Sequence, residues 1–211
     1  VLMSSFGSAF ASEEDVKEII KDTTNYIYTK VSDPQVAAIG GEWAILGLAR
    51  GDNDIPTEYF DKYYENVKRY AEEKKGVLHD RKYTEYSRVI LALTAIGKNP
   101  LDVSGYNLVK PLEDFDKTVW QGINGAAFAL IALDSGNYLP ESVLREKYVN
   151  YILEKQTLDG GFTMSGDTAE LDTTAMVLCA LSNYQDRVDV KEATDKALSC
   201  ISDMQLENGG F

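Results

Sequence analysis

The sequence predicts an all-α chain built from helical hairpins, and three observations predict it. A short apolar step occurs four times, as Leu46-Gly47-Leu48, Leu91-Ala92-Leu93, Ile131-Ala132-Leu133 and Cys179-Ala180-Leu181. By subtraction of residue numbers, the closing leucines stand 45, 40 and 48 residues apart. That spacing is typical of hairpin arrays, in which each unit is too small to bury its own apolar face. More polar stretches of helical periodicity lie between the steps, so apolar inner helices alternate with amphipathic outer ones. Finally, Gln156-Thr157-Leu158-Asp159-Gly160-Gly161-Phe162 recurs as Gln205-Leu206-Glu207-Asn208-Gly209-Gly210-Phe211, 49 residues on with the same Gln-to-Phe spacing.

The first outer helix is expected over 13–31, with apolar Val16, Ile19, Ile20, Ile27 and Val31 and an acidic first turn that suits the helix dipole. Asp33-Pro34 supplies an N-cap and a proline at the first helical position, so the first inner helix is expected from there to about Arg50. Thr57 opens the second outer helix, which runs to about Lys75. Its Tyr59, Phe60, Tyr63, Tyr64, Val67 and Tyr70 form an apolar stripe that reads as packing. Thr84 is expected to cap the second inner helix, which ends at Gly97. Pro111 interrupts the third outer segment around 105–117 and shortens it, which accounts for the 40-residue step. Asn124 is the expected cap of the third inner helix, which ends near Ser135-Gly136. The fourth outer helix runs from Pro140-Glu141 to Gln156, and the fourth inner helix starts at Asp172. A fifth outer helix spans about 190–205.

In the repeated motif, Asp-Gly-Gly and Asn-Gly-Gly provide residues that tolerate positive φ, stop a helix and turn the chain. The glutamine can bond orphan carbonyls at the helix end, and the phenylalanine can plug back between hairpins. Gln156, Gly160, Gly161 and Phe162, with Gln205, Gly209, Gly210 and Phe211, are therefore structural repeat residues.

The 211 residues can enclose one substantial core, and the 44% hydrophobic and 26% charged content is an ordinary globular balance. A net charge of −13 argues against a nucleic-acid partner, which needs clustered Lys and Arg. No stretch approaches the ~20 apolar residues of a membrane span. Residues 1–11 are uncharged and end Ala9-Phe10-Ala11 before Ser12-Glu13-Glu14-Asp15, the small-x-small pattern at the end of a secretory signal. They are read as a signal remnant, which makes the protein secreted or cell-surface; the alternative is a frayed apolar start. Cys179 and Cys200 are poorly placed to pair across a hairpin and are read as small buried hydrophobes.

The glutamine-to-phenylalanine motif, set between an outer and an inner helix, resembles the repeat of squalene and terpene cyclases and protein prenyltransferase β subunits. The resemblance covers most of 13–211 and is most specific over 141–211. It implies an (α/α)6 toroid, six hairpins whose inner helices line a central cavity. About four and a half hairpins are present, so the chain is expected to be a partial toroid over 12–211 with further domains C-terminal to it. With an export signal, the same fold also resembles cobalamin carriers and the toroid modules of secreted bacterial proteins.

The chemistry of those families is carried over only weakly. Class II cyclases protonate an alkene with the middle acid of D-x-D-D-T-A. Here the place is held by Glu170-Leu171-Asp172-Thr173-Thr174-Ala175, so the resemblance makes Asp172 the proton donor and Glu170 its helper, with Thr173 replacing the last acid. The alternative is that Asp172 caps its helix. The only histidine, His79, falls on a loop, and Cys179 has no second thiol or histidine nearby in sequence, so no metal and no cofactor are expected. Trp43 and Trp120 stand near the starts of inner helices, where they form rim packing or a platform for an apolar or sugar-like small ligand in the central cavity. Asp167, Glu170 and Asp172 would gather near the same rim. The expected function is a non-catalytic ligand-binding or surface-interaction module, with a divergent cyclase or prenyltransferase-like enzyme and a cobalamin-type carrier as alternatives.

Overall fold

The computed structural model describes residues 12–38, 40–51, 54–141 and 143–211; the expected signal remnant over 1–11 lies outside them. The chain is all-α. In order the helices are α1 (Glu13–Lys30), α2 (Glu42–Arg50), α3 (Thr57–Glu73), α4 (Thr84–Ala95), α5 (Phe115–Thr118), α6 (Gly122–Ser135), α7 (Leu144–Leu153), α8 (Leu171–Leu181) and α9 (Val188–Met204). A 3-10 turn at Lys110–Glu113, opened by Pro111, and the single turn of α5 make the third outer segment short, as its proline predicts.

The four apolar steps fall in α2, α4, α6 and α8, which pack in series, α2 on α4, α4 on α6 and α6 on α8. Of the other helices, α1 packs on α2, α7 on α6, and α9 on α8 and α7. The small middle residues Ala92 and Ala132 are fully buried and Ala180 is 2% exposed, which lets neighbouring inner helices approach closely. α6 is enclosed most completely, with Ala126, Ala127, Ala129, Leu130, Ala132 and Leu133 all at 0%. Gly47 is the exception among the small residues: its face is open, and a Cβ built there would meet nothing within 4 Å.

The tyrosine stripe of α3 is packing, with Tyr59, Tyr63 and Val67 buried. Tyr59 Oη donates to Val31 O (2.7 Å) and Asn66 Nδ2 to Pro34 O (2.8 Å), so α3 holds the loop that leads into α2. Tyr148 Oη does the same for the 3-10 turn, donating to Leu112 O at 2.7 Å; burial pushes its phenol up to about 12.

Several helix starts differ from expectation. α2 begins at Glu42, not after Asp33-Pro34; Asp33 instead pairs with Lys62 of α3 at 2.9 Å. Thr84 is the first residue of α4, not its cap, and its N–H donates to Gln121 Oε1 (3.1 Å) from the turn before α6, a cap supplied 37 residues away. Asn124 lies inside the first turn of α6, which starts at Gly122. α7 ends at Leu153, short of Gln156. Asp172 does not cap α8: the N-cap position is Glu170, whose carboxylate accepts from Met164 N (3.0 Å) and Thr173 Oγ1 (2.9 Å). At Thr84, then, a partner distant in sequence takes over what a local side chain was expected to do.

The two motif copies fold alike. In the first, Thr157 N–H donates to Gly161 O (3.0 Å) and Gly160 N–H to Thr157 O (3.0 Å), with Gly160 at φ +90°. In the second, Leu206 N–H donates to Gly210 O (2.7 Å) and Gly209 N–H to Leu206 O (2.8 Å), with Gly209 at φ +84°. Gln156 Nε2 donates to Gly160 O (2.7 Å) and also to Ala193 O on α9 (2.8 Å); Gln205 Nε2 donates to Gly209 O (2.9 Å). The glutamine therefore closes its own corner, and in the first copy it also ties that corner to the next outer helix. Phe162 is fully buried, whereas Phe211 is 59% exposed.

Glu42 is a buried carboxylate. Oε1 accepts from Ala37 N (2.7 Å), which anchors a loop whose Ala37 sits at φ +55°. Oε2 has no hydrogen bond and lies 3.9 Å from Arg88 Nε, while Arg88 also pairs with Glu85. The hydroxyl of Tyr63 on α3 is likewise buried without a partner. Burial pushes the Glu42 carboxyl up, more than Arg88 and the Ala37 N–H pull it down. A raised carboxyl contributes stability that is complete below its unfolded pKa of about 4.3 and is lost as pH rises through the folded value. Glu42→Gln is therefore expected to gain on the order of 1 kcal/mol over the native chain at neutral pH. That gain should shrink in urea melts taken towards pH 4. A loss at neutral pH would show instead that the Arg88 pairing outweighs desolvation.

Candidate functional site

One groove, of about 600 Å³, takes residues from all four inner helices. α2 contributes Trp43, Leu46, Gly47 and Arg50. The opening residue of each repeated step lies in its lining: Leu46, Leu91, Ile131 and Cys179. These positions are far apart in sequence and are brought together by the serial packing of α2, α4, α6 and α8. Trp43 is 44% exposed and its ring lies 5.6 Å from Phe128, which fixes the indole as one wall.

The polar rim is held from behind. Asp134 accepts from Arg145 Nε (2.7 Å) and from Tyr184 Oη (2.8 Å), and Asn183 Nδ2 approaches at 3.4 Å. Burial and the neighbouring Asp134 carboxylate push the Tyr184 phenol well up, so it stays a proton donor. Ser135 Oγ donates to Ala132 O and Ser182 Oγ to Cys179 O, both at 2.8 Å, which leaves these hydroxyls with lone pairs to accept.

Compared with family models, curated proteins and solved structures, the chain matches none of them.

The other sequence-predicted site residues lie elsewhere. Glu170 and Asp172 line a second opening of about 610 Å³ with Asn124, Met164 and Met176. The Met164 N–H and Thr173 hydroxyl hold the Glu170 carboxyl below the usual range, and Asp172 is exposed. Asp167 is exposed on the 163–169 loop and is not part of that opening's lining, so the three acids do not form one cluster there. Trp120 is 56% exposed in a separate shallow cleft, where the Arg81 guanidinium lies 4.8 Å from its ring. Of the two tryptophans, only Trp43 reaches the groove.

Both cysteines are free, and their environments differ: Cys200 is 7% exposed with burial raising its thiol, while Cys179 is exposed, contrary to its expected burial. Cys179 opens the fourth apolar step, and that position lines the open groove instead of the core. His79 Nδ1 accepts from the N–H groups of Arg81 and Lys82, both at 3.0 Å, so it stabilises a turn. Among the described residues no three His, Cys, Asp or Glu side chains group as metal ligands, and no helix is long and apolar enough to cross a membrane. The sequence reading missed Arg50, Asn183 and Gly47 as groove residues. The signal available for Gly47 was a glycine inside an otherwise apolar helical run.

Proposed function

We propose that the chain is a non-catalytic ligand-binding or surface-interaction module of the α/α-toroid kind, part of a larger exported protein. The observation that carries this reading is the groove itself: the same position of each of four repeats, spaced 45, 40 and 48 residues apart at their leucines, lines one cavity. A shared concavity between helices is where small-ligand sites form. The serial packing of inner helices and the two like-folded Gly-Gly corners support a hairpin array that curls towards a ring. The solvated Asp172 and the structural use of Glu170 support the absence of cyclase chemistry, since protonating an alkene needs a dry, strongly acidic donor.

Two measurements test it. Cys179 is in the groove and Cys200 is buried, so maleimide labelling reports occupancy with an internal control. Maltotetraose, cellotetraose, tetra-N-acetylchitotetraose or decanol is expected to slow Cys179 labelling at least several-fold while leaving Cys200 unchanged; protection by none of them overturns the binding reading. Incubation with squalene or geranylgeranyl diphosphate is expected to give no product. Turnover that disappears in Asp172→Asn would replace the module with an enzyme.

A further inference from the structure

Gly47 sits in the middle of α2 on the groove side, flanked by Trp43 and Arg50 at i−4 and i+3. A glycine inside a helix costs up to about 1 kcal/mol relative to alanine. Other glycines in this chain have a reason in a positive φ, as at Gly97, Gly105, Gly122, Gly166 and Gly209, or in close packing. A Cβ at Gly125 would lie 2.0 Å from Thr118 O, and one at Gly161 would lie 2.5 Å from Ala169 Cβ. At Gly47 there is no such neighbour and no unusual φ, so folding does not explain the missing side chain. What the glycine does is leave bare backbone between an exposed indole and a guanidinium about 10 Å further along the helix.

The lining indicates what would lie there. The exposed Trp43 indole offers a flat face for aliphatic C–H groups. Leu46, Leu91 and Ile131 continue the apolar surface. Around it stand donors on Arg50 and Asn183 and acceptors on Ser135 and Ser182. Arg50 has no ion-pair partner among the described residues. The carboxylate at the rim, Asp134, is already neutralised by Arg145 at 2.7 Å. An apolar face ringed by both donors and acceptors matches a neutral pyranose, which has C–H faces and hydroxyls of both kinds. An open groove longer than one ring matches a linear segment of such rings.

We infer that the groove binds a neutral glycan, with one sugar ring stacked on Trp43, the chain lying across the bare backbone of Gly47, and its far hydroxyls bonded by Arg50. This rests on the groove being a ligand site, and the test separates the two. In a Trp120→Phe background, the fluorescence of Trp43 is titrated with maltotetraose, cellotetraose and tetra-N-acetylchitotetraose, with Cys179 labelling followed in parallel. At least one glycan is expected to give saturable quenching and Cys179 protection. Gly47→Leu is expected to melt no lower than the parent yet to lose binding, because its side chain fills the floor. Arg50→Gln is expected to weaken glycan binding about tenfold without changing the melting temperature, the loss of one charge-assisted hydrogen bond.

If decanol protects Cys179 while no glycan does, the ligand class is wrong and the groove still stands. Undiminished glycan binding by Gly47→Leu likewise overturns the inference. If no probe protects Cys179, the inference and the ligand-site reading fall together.

Discussion

Phe162→Ala is expected to destabilise the chain by about 3–5 kcal/mol, while Phe211→Ala is expected to cost within about 0.5 kcal/mol. The two residues close motifs of the same spacing and the same Gly-Gly-Phe ending, so local sequence would give them equal weight. Their surroundings differ. Phe162 is fully buried, its N–H donates to Thr174 Oγ1 (2.9 Å), and its carbonyl accepts from Glu170 N (2.9 Å) and Thr174 Oγ1 (3.1 Å). Truncation there opens a cavity under the start of α8, against a backbone pinned on both sides. Phe211 is 59% exposed and has little contact to lose. Thermal melts of the two variants should differ by roughly 10 °C at this chain length. Equal shifts would show that the Phe162 site collapses around the smaller residue.

Arg145→Met is expected to be as severe, about 3–5 kcal/mol. Beyond its bond to Asp134, the guanidinium donates to Leu139 O (3.0 Å), Leu133 O (2.9 Å) and Tyr138 O (2.9 Å). It thus satisfies the C-terminal carbonyls of α6 and the following turn, where Leu139 has φ +52°, while neutralising a carboxylate whose side chain is only 13% exposed. Removing it leaves Asp134 with Tyr184 and Asn183 as its donors and takes the guanidinium donor from three carbonyls, of which Leu133 O keeps the Tyr138 N–H at 2.8 Å. Because the damage is largely an orphaned charge, Asp134→Asn in the Arg145→Met background should recover part of the loss. A double-mutant cycle measures this, with a coupling on the order of 1–3 kcal/mol expected. Additive losses would mean that the backbone carbonyls alone explain the role of Arg145.

Much of the fold was legible because helices announce themselves locally. Apolar residues at i, i+3 and i+4 marked the elements, Pro111 marked the short third outer segment, and the paired glycines marked corners whose hydrogen bonds are alike in both copies. The element starts were less legible. Thr84, Asn124 and Asp172 have the chemistry of caps, but the N–H of Thr84 is met by Gln121, and α8 opens at Glu170, whose carboxylate bonds the 163–169 loop instead. Similarly, α1 has the expected apolar positions, yet Val16, Ile19 and Ile20 are 43–61% exposed while Ile27 and Tyr28 pack on the core.

By itself the sequence determined the all-α class, the alternation of apolar and polar helices, and the Gly-Gly corners, because these depend on backbone preferences and periodicity within a few residues. Which side of each helix found a partner was decided only in three dimensions. Cys179 and Cys200 are the same residue on successive helices, one open to a groove and one covered. Trp43 and Trp120 both stand near inner-helix starts, and only one joins the groove. Ala92, Ala132 and Ala180 are crowded between helices, while Gly47 is left bare. Burial and cavity shape are set by which helices meet and how closely, and that is a property of the assembled chain rather than of any segment within it.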